Sequence, residues 1–302
     1  MSALLPIRRA IDWGELAPLR LRAREVAEGV YAGMHRSARR GAGVEFGSYR
    51  EYVPGDDLRW LDRRSLLRHD RLLVRQFETE TDRALCLVVD ASASMAFRSS
   101  TAPGAKVAFA AVIAAALARL ALASGDPVSL TFVGGGGGDA PVARSGGREQ
   151  FERVVAALEA VQPGGDARVD HAMVERALHS VLRGARRGAI VVFLSDLIDL
   201  PEDASRAISE VASRGRVLTV VQVLDPAEAS FPYQGTVRLR SLEGDAVVET
   251  DADSTRDRYI AALAALTGAW QKAVERRGGR FVPAKTTDEP LGVVRAIVES
   301  VR

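Results

Sequence analysis

Two carboxylates stand where apolar runs end. In Leu87-Val88-Val89-Asp90-Ala91-Ser92-Ala93-Ser94-Met95 an aspartate closes a run of branched residues, and hydroxyls follow it two and four positions later. In Val191-Val192-Phe193-Leu194-Ser195-Asp196 a second aspartate closes a second such run. Hard oxygen donors grouped in this way suit Mg²⁺, which takes about six oxygens in near-octahedral geometry and keeps several of its waters. The competing reading makes Asp90 and the two serines caps of the next helix and Asp196 the cap of a turn. The second strand-end aspartate favours the metal reading, because parallel strands deliver their C-terminal ends to one edge. The expected ligands are Asp90, Ser92, Ser94 and Asp196.

Other chemistries fit the sequence less well. A phosphoryl-aspartate hydrolase needs a second Asp two residues after the first, where this chain has Ser92, and there is no G-x-S-x-G elbow for a Ser-His-Asp hydrolase. His171 and His179, eight residues apart, do not form a compact metal pair. Pro103-Gly104-Ala105-Lys106 has the outline of a phosphate-binding loop, but Val107 stands at the Ser/Thr position, so a Walker site is rejected. The run Gly134 to Gly138 lacks the spaced glycines of a dinucleotide loop and reads as a flexible connection.

A different pattern occupies residues 44–62. Phe46, Tyr49, Tyr52 and Trp60 alternate with charges around the turn Pro54-Gly55-Asp56-Asp57. Six arginines and five acids fall between Arg50 and Arg71, which suggests paired ions rather than a basic face for nucleic acid. The aromatic residues argue against a fully solvated loop.

The elements that must carry these residues follow from periodicity. Residues 14–33 are amphipathic with helical spacing. From residue 84 onward strands are expected at 84–90, 127–133, 189–195, 216–224 and 280–283. Helices are expected at 105–124, 148–161, 169–184, 202–213, 257–277 and 290–301, with a hairpin over 236–250. Continuous apolar strands alternating with helices predict a doubly wound, mostly parallel α/β sheet covered on both faces. Residues 1–83 are expected to form an N-terminal helix and a charged, aromatic-rich segment, and 84–302 the α/β domain with its hairpin insertion near 235–250.

Composition bounds the partners. The 302 residues carry 41 basic and 39 acidic side chains, so bulk charge does not attract nucleic acid. Only Lys106, Lys272 and Lys285 among the cations are lysine, a bias that genome composition can produce. The single Cys86 excludes an internal disulfide and reads as a buried thiol. Residues 107–123 are apolar but interrupted by Arg119, which predicts a packed core helix rather than a membrane span. The opening MSALLPIRRA shows no apolar secretion signal, so a cytoplasmic location is expected.

Taken together, Glu45, Tyr49, Arg50, Tyr52, Pro54, Gly55, Asp56, Asp57, Arg59 and Asp62, with Phe77-Glu78, the Asp90-x-Ser92-x-Ser94-Met95 loop, Asp225-Pro226-x-Glu228 and Phe231-Pro232, resemble the bacterial domain of unknown function 58 family. The resemblance implies a three-layer α/β/α sandwich of the von Willebrand factor A type with a metal-ion-dependent adhesion site. It also implies a MoxR-type AAA+ ATPase as partner and a non-enzymatic role in the maturation or assembly of a client protein. Two departures stand out: Leu61-Asp62-Arg63 replaces the family's Ile-Asp-Trp, and Gly164-Gly165-Asp166-Ala167 lacks the threonine of a complete adhesion site. Asp166 or Asp170 in that place makes a more anionic site, suited to Ca²⁺ or Mn²⁺. Two alternatives are a metal-dependent phosphoesterase at the same acidic edge and metal-independent binding through residues 45–62.

Overall fold

A computed structural model of the chain describes residues 10–37, 48–51, 61–62, 73–76, 83–135, 141–166, 170, 172–198, 200–201, 203–212, 215–242 and 246–300. The chain divides into two compact units, residues 1–31 with 83–302, and residues 32–82. In the smaller unit β1 (Ser48–Glu51), β2 (Leu61–Asp62) and β3 (Leu73–Gln76) form an antiparallel sheet with β3 in the middle, Ser48 opposite Gln76 and Leu61 opposite Val74. Charge patterning hid these strands from the sequence reading. Tyr49, Arg50 and Asp62 lie on them, whereas Glu45, Tyr52, Pro54, Gly55, Asp56, Asp57 and Arg59 fall outside the described residues.

The larger unit is organised by β4 (Leu85–Ala91), buried at every position. A strand with no polar face must be covered twice, and its neighbours do this. With β5 (Val128–Gly134), β6 (Val142–Ser145), β7 (Ile190–Ser195), β8 (Val217–Leu224) and β11 (Arg280–Lys285) it forms a six-stranded sheet in the order β11-β8-β7-β4-β5-β6. All pairings are parallel except β5 with the edge strand β6. Register pairs Cys86 with Val191 and Val191 with Leu218, so these three side chains share one face. That face packs on α4 (Ala172–Gly184), α5 (Ala204–Ser209) and α7 (Ala252–Glu275) through Val174, Leu178, Ile208, Trp270 and Val274.

On the other face lies α2 (Lys106–Ala123), which contacts β4, α3 (Arg148–Ala160) and α8 (Pro290–Ser300). It is apolar and long enough to cross a membrane by composition, but most of it is buried inside the fold. Its alanines let sheet and neighbouring helices approach on several sides, as an all-round apolar core helix requires. An earlier helix, α1 (Leu19–Ser37), supplies Leu19, Ala23, Val26, Ala27 and Val30 to the core. The sequence pattern placed its start too early, because Gly14–Leu16 forms a separate 3-10 turn.

The turn matters for the site. Glu15 N donates to Pro103 O at 2.8 Å and Ala105 N donates to Asp12 O at 2.9 Å, which ties residues 12–15 to the segment entering α2. Gly104 allows this approach: a Cβ there would sit 2.7 Å from Trp13 O.

Three further elements depart from expectation. Strand β6 lies between the expected strand 127–133 and helix 148–161, where no element is expected; α6 (Pro226–Ser230) has no counterpart in the sequence pattern, and α7 begins at Ala252 rather than 257. Asp251 caps that start by accepting from Ser254 N at 2.8 Å. A hairpin of β9 (Thr236–Arg240) and β10 (Val247–Asp251) forms where the alternation placed it.

Candidate functional site

Strand β4 and strand β7 are neighbours, yet the chain leaves them in opposite directions, β4 toward β5 and β7 toward β8. Their C-terminal ends therefore open a crevice at the topological switch point, where ligand sites of open α/β sheets lie. Asp90 is the penultimate residue of β4 and Asp196 follows β7. The four expected residues meet there although 106 positions separate the first from the last.

A continuous chain of hydrogen bonds connects them. Asp90 Oδ1 accepts from Ser92 N at 2.8 Å and Asp90 Oδ2 from Ser195 Oγ at 2.5 Å. The hydroxyls of Ser92 and Ser94 lie 3.1 Å apart, and Ser94 Oγ donates to Asp196 Oδ2 at 2.8 Å. Asp196 Oδ1 accepts from Ile198 N at 3.1 Å. All these side chains are buried. Leu197, between the last two, has φ 62° and donates its N–H to Ser195 Oγ at 3.0 Å, so the turn after β7 is tight and internally bonded.

The third loop is pinned against the first. Gly164 N donates to Ala91 O, Ala93 N to Gly165 O and Gly135 N to Gly164 O, at 2.9, 3.2 and 2.9 Å. Gly134 makes room for this junction: at φ +78° its Cβ would stand 3.0 Å from Ser92 N and 3.1 Å from Gly164 O. Asp166 follows the junction, half-buried, and Asp170 is paired with Arg176. Ala167 lies outside the described residues.

Lys106 is the residue that the sequence reading missed. Rejected there as part of a failed phosphate loop, it opens α2 with no exposed surface and places Nζ 2.6 Å from Asp196 Oδ2 and 2.5 Å from Glu228 Oε1. Phe97 stands beside it, the ammonium 6.0 Å from the ring centroid. Glu228 is fixed by a capping box at α6: Asp225 N donates to Glu228 Oε2 at 2.9 Å and Ala227 N to Asp225 Oδ1 at 2.8 Å. Ser99 N donates to the other oxygen of Asp225 at 2.9 Å. The Asp-Pro-x-Glu motif thus belongs to the same cluster. One signal was available: one of only three lysines starts a helix that is otherwise apolar but for Arg119.

Electrostatics follow from this packing. Burial, then the charge of Asp196, pushes Asp90 up to about 6. Burial also works against the charge on Asp196, but the Lys106 ammonium outweighs it and holds that carboxyl below its ordinary range. Lys106 loses by burial and gains more from Asp196 and Glu228, so its ammonium is firmly protonated. Glu228, sharing the same ammonium, is nevertheless raised, burial being the largest cause. For Glu228, burial together with the charge of Asp196 outweighs the help of Lys106 and Asp225 N, whereas Asp196 is helped by Lys106, Ile198 N and Ser94.

This donor set does not fit the ion site that the sequence suggested, with Asp90, Ser92, Ser94 and Asp196 as ligands. An ammonium sits on Asp196, and the third loop supplies Gly164 and Gly165 in place of a hydroxyl. Among the described residues no group of three or more His, Cys, Asp or Glu is arranged to hold an ion. His179 is exposed on α4, and His171 lies outside the described residues.

A doubly wound α/β/α sandwich with an antiparallel edge strand and an Asp-x-Ser-x-Ser loop at its switch point is a von Willebrand factor A-like domain. The chain belongs to the DUF58 family, described as protein of unknown function, whose profile matches residues 48–267. Uncharacterized proteins of Mycobacterium tuberculosis and Mycobacterium bovis are 29% identical over 288 residues, covering 95% of this chain and 89% of theirs. Among solved structures, the conserved hypothetical protein BatB from Bacteroides thetaiotaomicron aligns with TM-score 0.47 at 17% identity, over 72% of this chain and 98% of that one. An aerotolerance-related membrane protein from Bacteroides fragilis aligns with TM-score 0.45 at 18% identity over the same shares.

Proposed function

We propose that this chain is a non-enzymatic protein-binding module, that its partner docks on the loops around the switch-point crevice, and that it serves in the cytoplasm as an adaptor for a MoxR-type AAA+ ATPase in maturing a client protein. The observation that carries the reading is the convergence of Asp90, Ser92, Ser94 and Asp196 into one buried hydrogen-bonded chain beneath those loops. A rigid polar floor fixes the loops above it, and loops on a rigid sheet are where folds of this kind place recognition. Phe97 and Ile198 are half-buried on these loops, and Thr101 is exposed.

The hydroxyls of the cluster argue for binding over turnover. Ser195 and Ser94 each donate to a carboxylate, and no imidazole stands beside them among the described residues. Ser195 is fully buried and Ser94 nearly so, which keeps a phosphoester away from either hydroxyl.

The test is capture of the purified MoxR-type ATPase encoded in the same genome by the immobilised full chain, with Mg²⁺ and with EDTA. Capture by the wild type, lost in Ile198→Glu at unchanged melting temperature, supports the reading; no capture under either condition overturns it. Hydrolysis of p-nitrophenyl phosphate that disappears in Asp90→Ala would establish the enzyme instead.

A further inference from the structure

The geometry points to Lys106 as the resident cation of this edge: its ammonium takes the position on Asp196 that a divalent ion would need. Three observations carry this. Nζ lies within hydrogen-bonding distance of Asp196 and Glu228, with no solvent exposure. The remaining oxygen of Asp196 accepts from Ile198 N, and the two oxygens of Asp90 accept from Ser92 N and Ser195 Oγ. The loop segment Gly164-Gly165 offers no hydroxyl to complete a coordination sphere. A divalent ion on Asp196 would therefore have to displace the ammonium or sit beside it at short range, where like charges repel strongly in a buried setting.

A lysine differs from an ion in a way that matters here. It cannot be removed by a chelator, and it is tethered to α2. The ammonium links the turn after β7 to α6, while the backbone ties of residues 12–15 hold the start of α2. Lys106 is thus a positioning residue: it holds Asp196, and through Asp196 it holds Ser94 and the Asp-x-Ser-x-Ser loop. The inference rests on the proposed function only in that these loops are the docking loops.

Calorimetric titration of the full chain with MgCl₂ and MnCl₂ tests it, on the wild type and on Lys106→Met combined with Glu228→Gln. The second change removes the carboxylate that the first would leave buried without its cation. The wild type is expected to show no saturable binding and a melting temperature indifferent to EDTA. The folded double variant is expected to bind Mn²⁺ at least about tenfold more tightly, as removal of a buried like charge requires. A double variant that folds, by circular dichroism, and binds no more tightly than the wild type overturns the inference. Should the double variant not fold, the wild type decides. Saturable binding that Asp196→Asn abolishes overturns the inference, and a flat titration upholds it. Partner capture is read separately, so its failure leaves this outcome unaffected.

Discussion

Lys106 and Asp196, 90 residues apart, meet Nζ to Oδ2 at 2.6 Å with both side chains out of solvent. A buried pair of this kind is not by itself a strong source of stability, because two charges had to leave water to form it. Losing one member is another matter. Lys106→Met leaves Asp196 and Glu228 facing each other without their cation, and the expected loss is about 3–5 kcal/mol in urea denaturation. By contrast Arg24→Ala, which removes an exposed i,i+4 pair with Glu28, should leave the midpoint unchanged. Equal losses in the two variants would show that Lys106 is not paired as described.

Asp90 gives the domain a pH dependence of definite sign. Its carboxyl titrates at 3.8 in an open setting and is pushed up to about 6 in the fold by burial and by Asp196. Between these values the folded protein holds a proton that the unfolded chain has released, so stability falls as pH rises through about 6. Asp90→Asn, neutral at every pH, should match the wild type near pH 4 and exceed it at pH 8 by on the order of 2–3 kcal/mol. Denaturation curves for both proteins across this range check it, and a constant gap would refute the titration.

How far the sequence disclosed this site depended on the range of the interactions. Strands β4, β5, β7 and β8 were legible because a strand covered on both faces is written as a continuous apolar run. Asp90 and Asp196 were legible because each ends such a run. Edge strand β6 was not: its sequence Val-Ala-Arg-Ser is largely exposed and carries no alternation. Nor was α6, whose five residues are too few for a helical period. Lys106 was visible but misread, since nothing local to Gly104-Ala105-Lys106 indicates that its partners come from 90 and 122 residues away.

Gly134 should be intolerant of a side chain for reasons tied to the site. Alanine there must hold φ +78° and press its Cβ on Ser92 N and Gly164 O, which belong to the two loops that meet at the crevice. A destabilisation of about 1–3 kcal/mol is expected from strain and crowding together. Gly146 offers a control, with open space around its Cβ position, and Gly146→Ala should melt close to the wild type.

Cys86 reports on the sheet rather than on the crevice. It lies in β4 beside Val191, and burial pushes its thiol above the ordinary range. The thiolate is the reacting form, so modification by a disulfide reagent should wait on opening of the sheet. Its rate is expected to follow global unfolding with added urea, and rapid labelling under native conditions would contradict the packing of β4.

Two readings of docking compete: through the crevice loops of the larger unit, or through the block of residues 45–62. Substitutions that leave the side chains of the buried chain in place separate them. Thr101 is exposed and Ile198 half-buried beside the crevice, so Thr101→Arg and Ile198→Glu change what a partner meets while leaving Asp90, Ser94, Lys106 and Asp196 intact. Asp56→Ala and Arg59→Ala alter the block alone. If docking uses the crevice, the first pair lowers capture of the ATPase by about tenfold or more, the loss expected when a central contact is replaced by a desolvated charge. The second pair then retains capture near the wild-type level. The reverse pattern, with all four proteins melting together, would move the binding surface to the smaller unit and leave the Lys106-centred cluster with a purely architectural role.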